Sequence, residues 1–180
     1  MLVDILRLVI DTVLGVITLA LLVRFFMQWT RTSFRNPVGQ FVAAATDWVV
    51  LPLRRVVPGL FGLDMASLLA AWGAQMLDVA LILVLLGAPA ESLLVSAPLY
   101  SLVALAKMVI YLIMGIVIVA VVLSWVAPHV PAAAVANALM RPFVAPFRRL
   151  IPPLGGMDFS PLILLLILQI IQRVLNGLVF

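Results

Sequence analysis

Two pairs of adjacent arginines, Arg54-Arg55 and Arg148-Arg149, recur 94 residues apart inside the same proline frame. The first lies in Pro52-Leu53-Arg54-Arg55-Val56-Val57-Pro58, the second in Pro146-Phe147-Arg148-Arg149-Leu150-Ile151-Pro152. Each is followed by a Gly-x-Asp element, ending in Asp64 and in Asp158. A guanidinium fork grips phosphate or carboxylate with two parallel hydrogen bonds. Arg54, Arg55, Arg148, Arg149, Pro58, Pro152, Asp64 and Asp158 therefore form a candidate lipid- or partner-binding platform. The plainer reading is a topology signal, each basic residue contributing about 1 kcal/mol near an anionic membrane surface. Topology needs only charge, however, and both copies carry arginine, never lysine. The two aspartates have two readings as well. They could meet as a dyad sharing one proton, or each could cap the helix that follows and pair with the arginines upstream. No substrate cleft follows from the sequence, which favours the second.

A further polar set lies inside apolar runs. Gln75 and Gln169 match at the same 94-residue offset, followed by Asp78, Gln172 and Arg173. At 1.5 Å per helical residue they sit about 14–20 Å into their spans, near the bilayer midplane. A charge there costs at least about 2.5–3.5 kcal/mol on insertion scales, so Asp78 is expected to pair with Arg173. The set reads either as an ion or proton pathway between two repeats or as interhelical polar glue. Arg24 and Lys107 lie nearer span ends and are expected to snorkel.

Other chemistry is excluded. The chain has no cysteine, hence no disulfide, thiolate metal site or cysteine nucleophile. Its one histidine, His129, cannot build a metal centre alone. No phosphate-binding glycine loop or Ser-His-Asp set is present. No enzyme activity, cofactor, metal or nucleic-acid partner is expected.

The elements that carry these residues follow from composition. Hydrophobic residues make up 66% and charged ones 10%; soluble domains are about half apolar and a quarter charged. Lipid must cover that surplus. Four apolar runs, 5–29, 66–87, 100–127 and 160–179, reach the roughly 20 residues a membrane helix needs. The first reads as a retained span rather than a signal peptide, since Asp4 and Asp11 accompany Arg7. The stretches 30–65 and 128–159 hold seven of the eleven basic residues, whereas the linker 88–99, bracketed by Pro89 and Pro98, holds only Glu91. The positive-inside rule then puts both basic loops in the cytoplasm and both termini outside, with Trp29 and Trp125 at the interface. Two spans per repeat make the repeats parallel, with boundaries at 1–90 and 91–180.

Within the basic loops, 38–52 shows Val38, Phe41, Val42, Ala45, Val49 and Pro52 at helical spacing, with Thr46 and Asp47 off that stripe. It predicts a short amphipathic helix, interfacial or re-entrant, with an Ala-rich counterpart at 132–144. The proline-bounded Arg-Arg segments after them are expected to be irregular. Ser160-Pro161 opens the last span as N-cap and first helical residue.

The Pro-x-Arg-Arg-x-Ile/Val-Pro, Gly-x-Asp and Ser-Pro elements, in two span–loop–span copies, resemble the YggT family of small bacterial and plastid membrane proteins. The second copy is the fuller match; the first has Phe61 for the first glycine and lacks Ser-Pro. The resemblance implies a bacterial inner-membrane protein linked to osmotic and potassium homeostasis, or to membrane organisation at division and cytochrome-complex maturation. It implies no reaction. The expected object is thus an all-α membrane protein of four transmembrane helices in two parallel repeats, with amphipathic helices on the cytoplasmic side. Its partners are anionic membrane lipids and either copies of itself or other membrane proteins. Four spans make a thin bundle, so an ion pathway leans on a homo-oligomer; a scaffold or assembly factor is the alternative.

Overall fold

The computed structural model describes residues 1–60, 62–150 and 158–177. They form six helices: α1 Leu2–Trp29, α2 Pro37–Arg54, α3 Met65–Leu85, α4 Ala90–Val126, α5 Pro131–Leu150 and α6 Ser160–Gly177. Four stretches, Leu2–Trp29, Met65–Leu85, Leu93–Val126 and Ser160–Gly177, are long and apolar enough to cross a membrane. These are the four expected spans, shifted by a few residues except where α4 begins early.

Local signals start and stop the helices as their chemistry demands. Asn36 caps α2 by accepting a hydrogen bond from the Gly39 N–H at 2.8 Å, with Pro37 at the first helical position. Asp64 caps α3 by accepting from the Ser67 N–H. Gly87, at φ 73°, turns the chain out of α3 while its N–H bonds Val84 O.

Three expectations are corrected. The linker 88–99 is helical from Ala90, and Pro98 lies inside α4. A proline removes one backbone donor, and Ser101 Oγ donates to the Pro98 carbonyl at this point. The Arg-Arg segments are irregular only in part: Pro52 lies inside α2, which ends at Arg54 and leaves Arg55 to Pro58 outside the helix as expected, whereas Pro142 and Pro146 lie inside α5, whose last turn carries Arg148 and Arg149. Spaced four apart, the α5 prolines delete donors on one face only. Thr46, read as off the packed stripe of α2, is buried; the buried face is Gly39, Val42, Thr46 and Val50. Phe41, Trp48 and Leu51 are the exposed residues instead.

Helix α1 packs chiefly on α3, α3 on α4, and α4 on α5 and α6; α2 bridges α1, α3 and α5. Two apolar clusters result. One joins Leu21, Leu22, Val50, Ala66, Ala71 and Leu105. The other joins Phe26, Met27, Val117, Leu139, Val144 and Leu164. Trp29 and Phe26 each hold Phe143 of α5 at 5.6 Å between ring centroids, locking the end of α1 to the second half of the chain.

Gly39 sits where α2 turns back under the end of α1. A Cβ built there would lie 2.6 Å from the Phe34 Cα and 2.9 Å from its carbonyl carbon. Backbone cannot yield as a flexible side chain can. Gly39→Ala is therefore expected to destabilise the protein by about 1–3 kcal/mol, the usual range for overpacking, read as a lower thermal midpoint in detergent. An unchanged midpoint overturns this account of the turn.

Candidate functional site

Helices α1 and α3 run antiparallel, and their shared face carries polar groups at three levels. At the end where α2 lies, Arg24 is buried at 5% exposure. Its Nη1 donates to Thr46 Oγ1 at 2.7 Å and to Asp47 Oδ1 at 2.6 Å, and its Nε lies 3.7 Å from Asp64 Oδ2. Asp64, 2% exposed, also accepts from both Nε and Nη2 of Arg54 and from the Ser67 hydroxyl. Arg54 Nη2 reaches back to Gln28 Oε1 of α1 at 2.7 Å. One buried carboxylate thus collects two guanidiniums and a hydroxyl.

The middle level is Gln75, 3% exposed, whose Nε2 donates to Thr18 Oγ1 at 3.1 Å. Thr18 is itself buried and donates to the Leu14 carbonyl at 2.8 Å. At the third level Asp78 faces Asp11 and Arg7 of α1, which lie 3.8 Å from each other. The Asp78 Oδ1 is buried with no hydrogen-bond partner among the described residues. From Arg24 to Asp11 the file covers about 20 Å of helix at 1.5 Å per residue, two-thirds of a roughly 30 Å hydrocarbon core.

The second half keeps only one end of this. Arg148 Nε donates to Asp158 Oδ2 at 2.7 Å, and Asp158 Oδ1 accepts from the Ser160 N–H. Helix α4 offers no counterpart to Arg24; Lys107, half-buried, is its only basic residue. Gln169 is exposed, and Gln172 is buried with both amide atoms unpartnered among the described residues.

Burial pushes the Asp64 carboxyl up, but hydrogen bonds from Arg54 and Ser67 and the Arg54 charge outweigh it and hold the group below the usual carboxylate range. Asp158 is displaced the same way: burial raises it, and Ser160 and Arg148 pull it lower still.

The sequence-derived residues are therefore divided. Arg54 with Asp64, and Arg148 with Asp158, come together as arginine–aspartate pairs, so each aspartate serves its own half and no dyad forms. Arg55, Arg149 and Pro58 are exposed; Pro152 lies outside the described residues. The expected Asp78–Arg173 pair is corrected. Arg173 is exposed, and α6 packs on α4 and α5 while α3 packs on α1, α2 and α4. Arg24 does not snorkel: it turns inward because Asp64, Asp47 and Thr46 surround its guanidinium. Sequence reasoning missed Arg24, Thr18, Thr46, Asp47 and Asp11. The available signal was antiparallel arithmetic, which, once Arg24 is set beside Asp64 on neighbouring α1 and α3, brings position 11 level with Asp78. His129 is exposed, and no group of three metal-ligating side chains occurs among the described residues.

The sequence model of the CCB3/YggT family matches residues 3–85 and 99–179. An uncharacterised protein of Pseudomonas aeruginosa is 36% identical over 173 residues, 94% of this chain and 88% of the relative. The uncharacterised protein YggT of Escherichia coli K12 is 35% identical over 164 residues, 91% of this chain and 85% of its own length. A Vibrio alginolyticus protein described by its position in the proC 3′ region is 31% identical, covering 89% of this chain and 87% of its own. No solved structure matches the chain.

Proposed function

The chain belongs to the CCB3/YggT family, and from that premise we propose a non-enzymatic inner-membrane protein of ion and osmotic homeostasis. Its first half supplies a polar path for protons or small cations. The observation that carries this reading is the file on the α1–α3 face, with Arg24, Thr46 and Asp64 at one end, Thr18 and Gln75 between, and Asp11 and Asp78 at the other. Polar groups are costly in hydrocarbon and mark ion or proton routes when they line a continuous face. In the same reading the two halves are parallel repeats related by a pseudo-twofold axis, α2 and α5 lie on the cytoplasmic side, and both termini lie outside. The file is enclosed between α1 and α3 of one chain, and copies of the chain assemble to flank a four-span bundle too thin to shield such a path alone.

A second reading rests on a different observation. Arg55 and Arg149 are exposed at the ends of α2 and α5, where they suit a scaffold that grips anionic lipid or the acidic segment of a partner.

Reconstitution decides between them. Vesicles holding the protein and a pH- or potassium-sensitive dye are expected to dissipate an imposed gradient faster than protein-free vesicles. Equal rates under proton, potassium and sodium gradients sink the transport reading and leave the scaffold.

A further inference from the structure

A cavity of about 540 Å³ opens between α4, α5 and α6, with the Arg148–Asp158 pair on its wall. It lies where the first half is filled. Asp158, Arg148 and Met140 line it, and 94 residues earlier stand Asp64, Arg54 and Thr46, the groups gathered around or beside Arg24. In the first half the Arg24 side chain occupies this space and bonds Thr46 and Asp47. In the second half α4 sends in no guanidinium, and the space is open. Its rim residues Ile118, Val122, Trp125 and Leu162 are exposed on the lipid-facing surface.

The polar wall is under-used as well. Arg54 commits Nε and Nη2 to Asp64 and Nη2 to Gln28. Arg148 engages Asp158 through Nε, and the residue 94 positions after Gln28 is Val122, which accepts nothing. Among the described residues the Arg148 terminal amino groups are thus uncommitted. Asp158 holds one guanidinium where Asp64 holds two. A carboxylate has about four acceptor sites, so Asp158 has room for another donor.

We infer that this cavity holds a zwitterionic phospholipid with a primary ammonium head group, a phosphatidylethanolamine. Its phosphate sits on the Arg148 Nη groups, its ammonium donates to Asp158, and one acyl chain lies against Val121, Val122, Leu162 and Leu165. Charge complementarity selects this occupant: a neutral arginine–aspartate pair matches a zwitterion end for end. An anionic lipid without an amine leaves Asp158 facing a second negative group. A choline lipid places methyl groups, which donate no strong hydrogen bond, against the carboxylate. The volume falls within the roughly 300–1,000 Å³ of small-molecule sites, enough for a head group and the upper part of one chain.

The test uses the full chain in vesicles of equal parts phosphatidylethanolamine, phosphatidylcholine and phosphatidylglycerol, re-extracted in mild detergent, with retained lipid measured by mass spectrometry. The one charge-assisted hydrogen bond that phosphatidylcholine cannot make, from the ammonium to Asp158, is expected to enrich phosphatidylethanolamine about tenfold over phosphatidylcholine. Asp158→Asn removes the charged acceptor of the ammonium and Val121→Trp fills the chain slot; each is expected to return the retained lipid to the bulk ratio. Arg35→Gln, a charge loss away from the cavity, keeps the enrichment. Retention in the bulk ratio by the wild type, or enrichment of phosphatidylglycerol instead, overturns the inference. So does enrichment that survives both cavity variants. The wild-type preference decides even where a variant fails to fold. The outcome is independent of ion flux, since the cavity and the α1–α3 file share no residue.

Discussion

Asp64→Asn is expected to destabilise the protein by about 3–5 kcal/mol, the range for removing one partner of a buried ion pair. Asparagine retains an oxygen for the Ser67 N–H and so keeps the α3 cap. It carries no charge, and it leaves the buried Arg24 and the more exposed Arg54 without the carboxylate they share. Asp158→Asn is the matched control. Its side chain is 37% exposed and meets one arginine that is itself 47% exposed, so the loss should be about 0–1 kcal/mol, as for exposed pairs. Thermal or denaturant midpoints in one detergent measure both. Equal losses would refute the placing of Asp64 as the buried hub. The pH dependence has a definite sign. The native carboxyl titrates below its unfolded value of about 3.9, so its stabilisation is complete above that value and disappears as pH falls through the lowered native one. Wild type should therefore lose midpoint below about pH 4, and Asp64→Asn should lack that part of the loss.

Gln75→Leu is expected to lower ion flux about tenfold or more while costing little stability. The swap nearly conserves volume, and interhelical hydrogen bonds in membranes average only about 0.6 kcal/mol. Thr18 remains satisfied through the Leu14 carbonyl. What is lost is the polar atom between the Arg24 and Asp78 levels, and an added barrier of about 1.4 kcal/mol at that step gives the tenfold. Gln169→Leu tests the asymmetry between the halves. Gln169 is exposed and away from the file, so flux and midpoint should both stay at wild type. Asp78→Asn should fall with Gln75→Leu, because it neutralises the carboxylate whose Oδ1 is buried without a partner among the described residues. Wild-type flux in Gln75→Leu would show that ions take another route.

Much of this molecule is legible residue by residue. Four runs of apolar residues near 20 long can only be helices in lipid, because the backbone has no other partner there. Ser160-Pro161 marks the start of α6, although Ser160 is its first helical residue rather than its cap and the Ser160 N–H is held by Asp158. The arginine–aspartate pairs, ten residues apart in both halves, could be read because so short a separation along the chain keeps both partners close.

What stayed hidden depends on which helices touch. Arg24 looked like a snorkelling residue because its depth was judged along α1 alone; its partners Thr46, Asp47 and Asp64 come from α2 and the start of α3. Asp78 and Arg173 looked like natural partners because each is a lone charge at depth, yet α3 and α6 lie on different neighbours. Prolines 52, 98 and 146 looked like stops, and the helices run through them. The sequence by itself determined the four spans and the local ion pairs, since hydrophobic transfer and backbone hydrogen bonding act within one segment. Only the tertiary structure decided that the first half seals its polar end with Arg24 while the second leaves a cavity. That choice depends on which helix faces present themselves to each other across the bundle, and no local pattern encodes it.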